Sequence, residues 1–550
     1  MSLLKTHLCN QTTEESMNSI NSLTRFASLG AAASLCVTLC LTATAGAQVK
    51  PSALFSDHMV LQSGTLVPIW GTATPGEKVA VTLNDQTRSA TTDVQGKWTV
   101  SLYGLKAGGP FEMTIAGDRA GDAPIVVKDV LVGEVWLGSG QSNMQFNVSA
   151  KGHPPYGLLN EDKEIAAANY PQLRMFQAKS VSALDPQSDV TGVWQVCTPQ
   201  TVPDWSAVGY LFGRDLNQAL KLPVGIVLSA FGASTAEAWI PRDAMAADPQ
   251  LKPMLDKFDA RENYFRAHPA VNGVAPTDAG APPAPLTINA RASAPGPMRD
   301  PSRDQHQPTV LFNGMINPII PYAIRGAIWY QGESITGGAH GVMLYGHVMD
   351  TMVTTWRDRW HQGDFPFYVV QLPGQANVSN NPLVREQQAK ILSLPNSGMA
   401  VVLDTGEIHN VHPKNKEPLG DALNRIALAN VYGRKIEFSG PIFASSKIEG
   451  SAISVKFTHA AGLKSKDGGP LKWFQIAGAD QKFIDADAKI VGDSVVVSSP
   501  KVSAPAAVRY AWDNYPNTAN LYNGAGLQAA PFRTDDWDAM PPIEAQFTAK

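Results

Sequence analysis

Val132-Gly133-Glu134-Val135-Trp136-Leu137-Gly138-Ser139-Gly140-Gln141-Ser142-Asn143-Met144 reads as a short buried strand running into a tight, glycine-containing turn. A serine at the C-terminal end of such a strand presents its hydroxyl at the mouth of an α/β sheet. That is where these sheets hold ligands and nucleophiles. Ser142 is the candidate nucleophile, against the blander reading of a serine that only caps a turn or helix. Far downstream, His409-Asn410-Val411-His412-Pro413-Lys414-Asn415-Lys416 is a His-Pro turn opening an apolar-periodic helix. A serine hydroxyl is a poor nucleophile at neutral pH and needs an imidazole to take its proton. The two segments together imply serine-hydrolase chemistry.

The same alternation of strands and helices extends outward from this core. Val224-Gly225-Ile226-Val227-Leu228, Gly326-Ala327-Ile328-Trp329-Tyr330, Phe367-Tyr368-Val369-Val370-Gln371-Leu372 and Met399-Ala400-Val401-Val402-Leu403 are nearly continuous apolar runs. Parallel strands buried on both faces require such runs. Gly209 to Leu220 is a plausible amphipathic helix between two of them, and the region from 131 to 440 is predicted to be a doubly wound α/β domain. It is interrupted from about 265 to 308 by a stretch dense in Pro, Ala and Gly, expected to be an irregular insertion near the substrate entrance.

On both sides the pattern turns to β. In 48–130, Val79-Ala80-Val81-Thr82-Leu83 and Lys97-Trp98-Thr99-Val100-Ser101-Leu102 are separated by the turn signals Pro75-Gly76, Asn84-Asp85 and Gln95-Gly96, which suggests a small β-sandwich. In 441–550, Ala452 to Phe457, Ser494 to Ser498 and Ala507 to Trp512 predict a second β-rich region. No repeat of solenoid or propeller type is present.

Residues 1–47 read as a targeting segment. Lys5 and Arg25 precede an apolar run from Phe26 to Leu41, and Ala45-Gly46-Ala47 supplies a small-x-small cleavage pattern, so cleavage is expected after Ala47. Met17 is an alternative start. The run is rich in Ala, Ser and Thr and short for a span, so no stable membrane anchor is expected. The implied location is periplasmic or secreted. Cys9, Cys36 and Cys40 would leave with this segment, and Cys197 would remain as a buried small hydrophobe. A formal net charge of -4 over 550 residues gives no basic footprint, which argues against nucleic acid as a partner.

Five segments taken together resemble the sialate O-acetylesterase-like carbohydrate esterases of the SGNH hydrolase superfamily. They are Gly140-Gln141-Ser142-Asn143-Met144, Pro223-Val224-Gly225-Ile226 with Phe231-Gly232-Ala233-Ser234, Trp329-Tyr330-Gln331-Gly332-Glu333-Ser334, Val370-Gln371-Leu372-Pro373, and His412-Pro413-Lys414-Asn415-Lys416. Phe55 to Gln62 and Asn520 to Gly524 are similar to the family's flanking β regions. The resemblance implies an SGNH-type sheet, Ser142 as nucleophile, and His412 as general base and then acid. It also implies an acetylated carbohydrate as substrate and no metal or organic cofactor. His409 and His412 stand three apart, a spacing open to a metal, but no further ligand completes a set.

The chain departs from the family pattern at three places. Asn410 stands where the family usually has aspartate, two before the histidine, and an amide cannot stabilise an imidazolium by charge. Glu333 is the first candidate for that acid role, with Asp404 and Glu407 behind it. Ala233-Ser234 follows Gly232 where the family has Gly-Thr, and Ile335 replaces an Asn, which removes a side-chain donor from the expected oxyanion hole. Gly232, Gln331 and the Ser142 amide are the candidates to bind that oxyanion, and Asn410, whose amide can fix the imidazole ring through a hydrogen bond, is grouped with them as an oxyanion or substrate-binding residue. Trp239, Trp329 and Tyr330 could stack on sugars, although aromatics at strand ends more often pack in the core. These departures and the insertion favour acetylated plant polysaccharide, such as xyloglucan or xylan, over sialic acid. A catalytically decayed carbohydrate-binding protein is the reading from another class; retention of Ser142 and His412 argues against it. A lipase or peptidase lacks its expected features.

Overall fold

A computed structural model of the chain describes residues 48–152, 156–269, 300–335, 339–376 and 380–537. Residues 1–47, expected to be a targeting segment, and most of the Pro/Ala-rich stretch lie outside the described residues. The opening sequence stretch forms β1, Ile125–Gly140, longer than its apolar core alone predicts. It is followed by β2 (Tyr170–Gln177), β3 (Trp194–Cys197), β4 (Val224–Ala230), β5 (Gly326–Tyr330), β6 (Phe367–Val370) and β7 (Ser397–Ala400). Their spatial order is β3-β2-β4-β1-β5-β6-β7. All neighbours are parallel except β3, which runs antiparallel to β2. Every residue of β4, β5 and β6 is buried, as continuous apolar strands in a parallel sheet must be.

The order places β1 between β4 on one side and β5 on the other. The chain reverses its direction of progress across the sheet here, and the loops leaving the two neighbours diverge. A crevice outside the strand ends follows from that topology. Ser142 begins α1 (Ser142–Gln145) directly after β1, at this point. Gly140 permits the turn: its φ is +136°, and a Cβ there would lie 2.1 Å from the Tyr330 carbonyl oxygen of β5.

The helix expected over Gly209 to Leu220 is α2, Ala207–Leu220. Ser206 caps it, its Oγ accepting from Gly209 N, and Lys221 ends it in the left-handed conformation. Losing such a cap costs about 1 kcal/mol. After two helices over Arg242–Ala247 and Lys252–Ala267 come α3 (Ala339–Trp360), α4 (Asn381–Ala389) and α5 (Glu417–Asn430). A Cβ on Gly420 of α5 would stand 2.8 Å from Leu211 Cβ of α2, so the glycine sets how closely these two helices approach. Leu211, Leu216, Leu419 and Leu423 are buried, each contributing roughly 1.5–3 kcal/mol by area.

β1 also extends away from the site into the N-terminal β region. There it pairs with Val60–Gln62 and Gly108–Gly117. The boundary expected between 130 and 131 therefore falls inside one strand. At the other end, Ile442–Glu449, Ala452–Thr458, Ser494–Ser498 and Asp487–Val491 form a four-stranded sheet. Ile484–Asp485, Phe474–Ala477, Ala507–Tyr510 and Phe532–Arg533 form another. Ile453, Val455, Val497, Val508, Tyr510 and Phe532 belong to the apolar cluster of this region. The described residues fall in one compact unit. No helix among the described residues is long and apolar enough to cross a membrane.

Candidate active site

Ser142 and His412 are far apart in sequence and meet at the end of β1. Ser142 Oγ lies 2.8 Å from His412 Nε2, a hydrogen bond in the right sense for proton removal from the hydroxyl. The Tyr156 ring packs at 88° to the imidazole with centroids 5.2 Å apart. Burial, helped by the positive charge of Lys416, pushes the imidazole down to about 4. The ring is thus neutral at pH 7, the form a general base requires.

Among the described residues no carboxylate bonds the imidazole. Glu333 leaves the end of β5 as expected, but its Oε1 accepts from Asn143 Nδ2, so the structure corrects its expected place beside the ring. Burial raises the Glu333 carboxyl, against the opposing hydrogen bond of Asn143 and the charge of Lys416. Asp404 accepts from Lys466 Nζ at 2.6 Å and from Tyr522 OH at 2.7 Å, in contact with the C-terminal β region. Glu407 accepts from Asn410 Nδ2 at 2.9 Å and from Lys414 N at 2.8 Å. Each of the three acids is engaged elsewhere.

Asn410 does not orient the ring either. Its Oδ1 accepts from His412 N at 3.0 Å and its Nδ2 donates to His412 O at 2.8 Å. It shapes the backbone of the turn, as Asx side chains do.

The expected oxyanion donors are also committed. Gly232 N donates to Gln145 Oε1 at 2.6 Å. Gln331 is wholly buried, donating to Ser234 O at 3.2 Å and accepting from Tyr345 OH at 2.7 Å. Gly232 lies against the nucleophile turn: a Cβ there would stand 3.2 Å from Gln145 Oε1 and 3.6 Å from Ser142 Cβ. The amides of Ser142 and Asn143 open α1 and meet no acceptor among the described residues, since the helical bonds begin at Met144 N and Gln145 N. Ile335, buried, takes the position of the missing Asn as core. Trp239, Trp329 and Tyr330 are buried too, with Trp239 and Trp329 packed edge to face at 5.8 Å.

Three contributors escaped the sequence reading. Asn143 and Lys416 stood inside the quoted motifs but carried no assigned role. Arg385 of α4, wholly buried, donates to the carbonyls of Leu372 (2.8 Å), Pro373 (2.9 Å), Asp513 (2.7 Å) and Asn514 (3.1 Å). It ties the loop after β6 to the C-terminal β region, and nothing in its sequence neighbourhood signals that. This loop lines a small crevice beside Val411, together with Glu333, Asn381 and Asn410. Gln305, at the end of the Pro/Ala-rich stretch, reaches Gly232 O at 3.3 Å. Cys197 is free and buried, its thiol pushed up to about 12 by burial. Among the described residues, no three His, Cys, Asp or Glu side chains converge to hold a metal ion.

Residues 305–424 match the family described as carbohydrate esterase, sialic acid-specific acetylesterase. The chain is 28% identical to the sialate O-acetylesterase of Mus musculus, over 92% of this chain and 96% of that one. It is 28% identical to the Homo sapiens sialate O-acetylesterase, over 89% and 93%. The crystal structure of a carbohydrate acetylesterase from Xanthomonas citri superposes with a TM-score of 0.75 at 32% identity, covering 89% of this chain and all of that one.

Proposed function

The chain belongs to the sialate O-acetylesterase-like carbohydrate esterases, and from that premise we propose a Ser142–His412 mechanism acting on acetylated plant polysaccharide. The protein is an acetylesterase that deacetylates carbohydrate. His412 Nε2 removes the Ser142 proton as Oγ attacks the acetyl carbonyl. The collapsing tetrahedral intermediate takes a proton from the imidazolium onto the departing sugar oxygen. Water then hydrolyses the acetyl-serine by the same steps in reverse roles. The observation carrying this reading is the 2.8 Å contact between Ser142 Oγ and His412 Nε2 at the end of β1. The amides of Ser142 and Asn143, rather than Gly232 and Gln331, would receive the oxyanion.

Support for a neutral polysaccharide such as xyloglucan or xylan comes from the departures of this chain from the family pattern. The changes at Ala233, Ile335 and Asn410 agree with a branch that has left sialate recognition. An SGNH-type doubly wound sheet, flanked by β-sandwich regions, is favoured by the position of β1 between β4 and β5. Export to the periplasm or medium rests on the sequence of residues 1–47.

Acetate release should be measured from acetylated xyloglucan, acetylated xylan and O-acetylated sialic acid, with Ser142→Ala alongside. Release from the polysaccharides, abolished in Ser142→Ala, is expected. Release from sialic acid alone would overturn the substrate. Binding to the polysaccharide without any release would favour the decayed binding protein.

A further inference from the structure

Asn143 follows the nucleophile and Val411 precedes the base, and one side-chain amide joins them. Asn143 Nδ2 donates to Val411 O at 2.9 Å. The same nitrogen donates to Glu333 Oε1, and Asn143 Oδ1 accepts from Lys416 Nζ. Asn143 is wholly buried and Lys416 is 1% exposed. The Lys416 ammonium also lies 4.7 Å over the Phe146 ring and 5.1 Å over the Tyr330 ring. Three segments therefore converge on this amide: the turn after β1, the loop after β5 and the run into α5.

The arrangement solves a problem set by the missing acid. In a triad the carboxylate holds the imidazole toward the serine. Here the backbone next to the imidazole is tied to the residue next to the serine. The carboxylate and the ammonium at the two ends of the amide compensate each other's burial, since an unpaired buried charge is strongly destabilising. Both hydrogen bonds are charge-assisted, which makes them short and directional.

Resting on the assignment of Ser142 and His412, we propose that Asn143 is a positioning residue. Clamped between Glu333 and Lys416, it fixes the separation of nucleophile and base in place of an acid on the ring. Lys416 has a second consequence. It is faced by Glu333 from the β5 loop and by Glu407 from the loop before His412, and both hold its proton on. Burial nevertheless draws it down to about 7. His412 is faced by Ser142, by Tyr156 and by Lys416 of its own segment, whose charge disfavours the imidazolium.

The test uses the full-length protein and a chromogenic acetate ester. Asn143→Ala is expected to lower kcat by about 100-fold or more with KM within about threefold, because misalignment acts on the transition state rather than on binding. Lys416→Met should move the acidic limb of kcat/KM to higher pH, while Lys416→Arg, which keeps the charge, should leave that limb in place. Circular dichroism checks each fold. If Asn143→Ala does not fold, Glu333→Gln decides. It keeps an acceptor for Asn143 but replaces the charge-assisted bond by a neutral one, so kcat should fall by about tenfold with KM little changed, while Lys416, still protonated at the acidic limb, keeps that limb from moving upward. A kcat for folded Asn143→Ala within about twofold of wild type overturns the proposal. So does a limb that Lys416→Met leaves in place, or, where Asn143→Ala does not fold, a kcat for Glu333→Gln within about twofold of wild type. Full activity in Ser142→Ala would instead overturn the nucleophile assignment beneath it.

Discussion

Gly140 and Tyr330 approach so closely that a methyl group on the first would overlap the carbonyl of the second. The ideal Cβ lies 2.1 Å from Tyr330 O, and the next residue, Gln141, donates its N–H to that same oxygen at 3.0 Å. The turn that carries Ser142 is thus locked to β5 through backbone atoms. Neither partner is a flexible side chain that could move aside.

Gly140→Ala should therefore damage both stability and activity. Its φ of +136° is strained for any L side chain, and relief requires β1 and β5 to part. We expect a loss of about 3 kcal/mol or more in urea unfolding, with activity reduced well beyond what the unfolded fraction explains. A fully stable, fully active variant would show that the turn is not locked in this way.

Ser142→Ala and His412→Ala should each remove several powers of ten in turnover, to about the same residual level. Nucleophile and base act as a unit, so losing either forfeits the whole. Ser142→Ala loses only a hydroxyl and should unfold at the wild-type denaturant concentration, whereas His412→Ala also loses the ring packed on Tyr156 and should unfold somewhat earlier while staying folded in buffer. An alanine variant retaining more than a few per cent of turnover would sink the assignment.

The sheet was legible in the sequence because parallel strands buried on both faces leave continuous apolar runs, and Gly326–Tyr330 shows this residue for residue. The α2 boundaries were nearly so, since the Ser206 cap is local chemistry. Ser142 and His412 could be named because a strand-turn serine and a His-Pro segment each carry a mechanism. The roles of Glu333, Gln331 and Gly232 could not be read. All three leave strand ends at the right edge of the sheet, yet which atom each reaches is decided by partners remote in sequence. Asn143 captures Glu333, Tyr345 captures Gln331 and Gln145 captures Gly232. Hydrogen-bond competition of this kind leaves no periodic trace.

Restoring aspartate at position 410 is expected to harm the enzyme. The Asn410 amide donates to His412 O and to Glu407 Oε2, and a carboxylate there would present oxygen to both. Two carboxylates within hydrogen-bonding distance cannot both ionise cheaply, so Asn410→Asp should loosen the turn that holds His412. Turnover at pH 7 should fall by about tenfold or more. It should recover partly as the pH drops and the pair shares a proton. An increase in turnover at neutral pH would instead mean that position 410 reaches the imidazole in solution.

The pH dependence of kcat/KM distinguishes a base without an acid partner from a full triad. That profile reports the free enzyme, in which His412 must be neutral to accept the Ser142 proton. A carboxylate on the ring would raise the imidazole above its ordinary value of 6.5, whereas burial and the Lys416 charge push it down to about 4. Activity should consequently be full above the low-pH limb and be lost only as the pH falls through about 4. The stability linkage has the same sign. The folded imidazole takes its proton at lower pH than the unfolded one, so its contribution is present above the ordinary value and declines as the pH falls toward the folded one. Measured rates should be corrected for the unfolded fraction in this window, using circular dichroism at each pH. An acidic limb near 7 with the fold intact would mean that a carboxylate contacts His412 in solution. The triad would then be complete by a route outside the contacts of Glu333, Asp404 and Glu407.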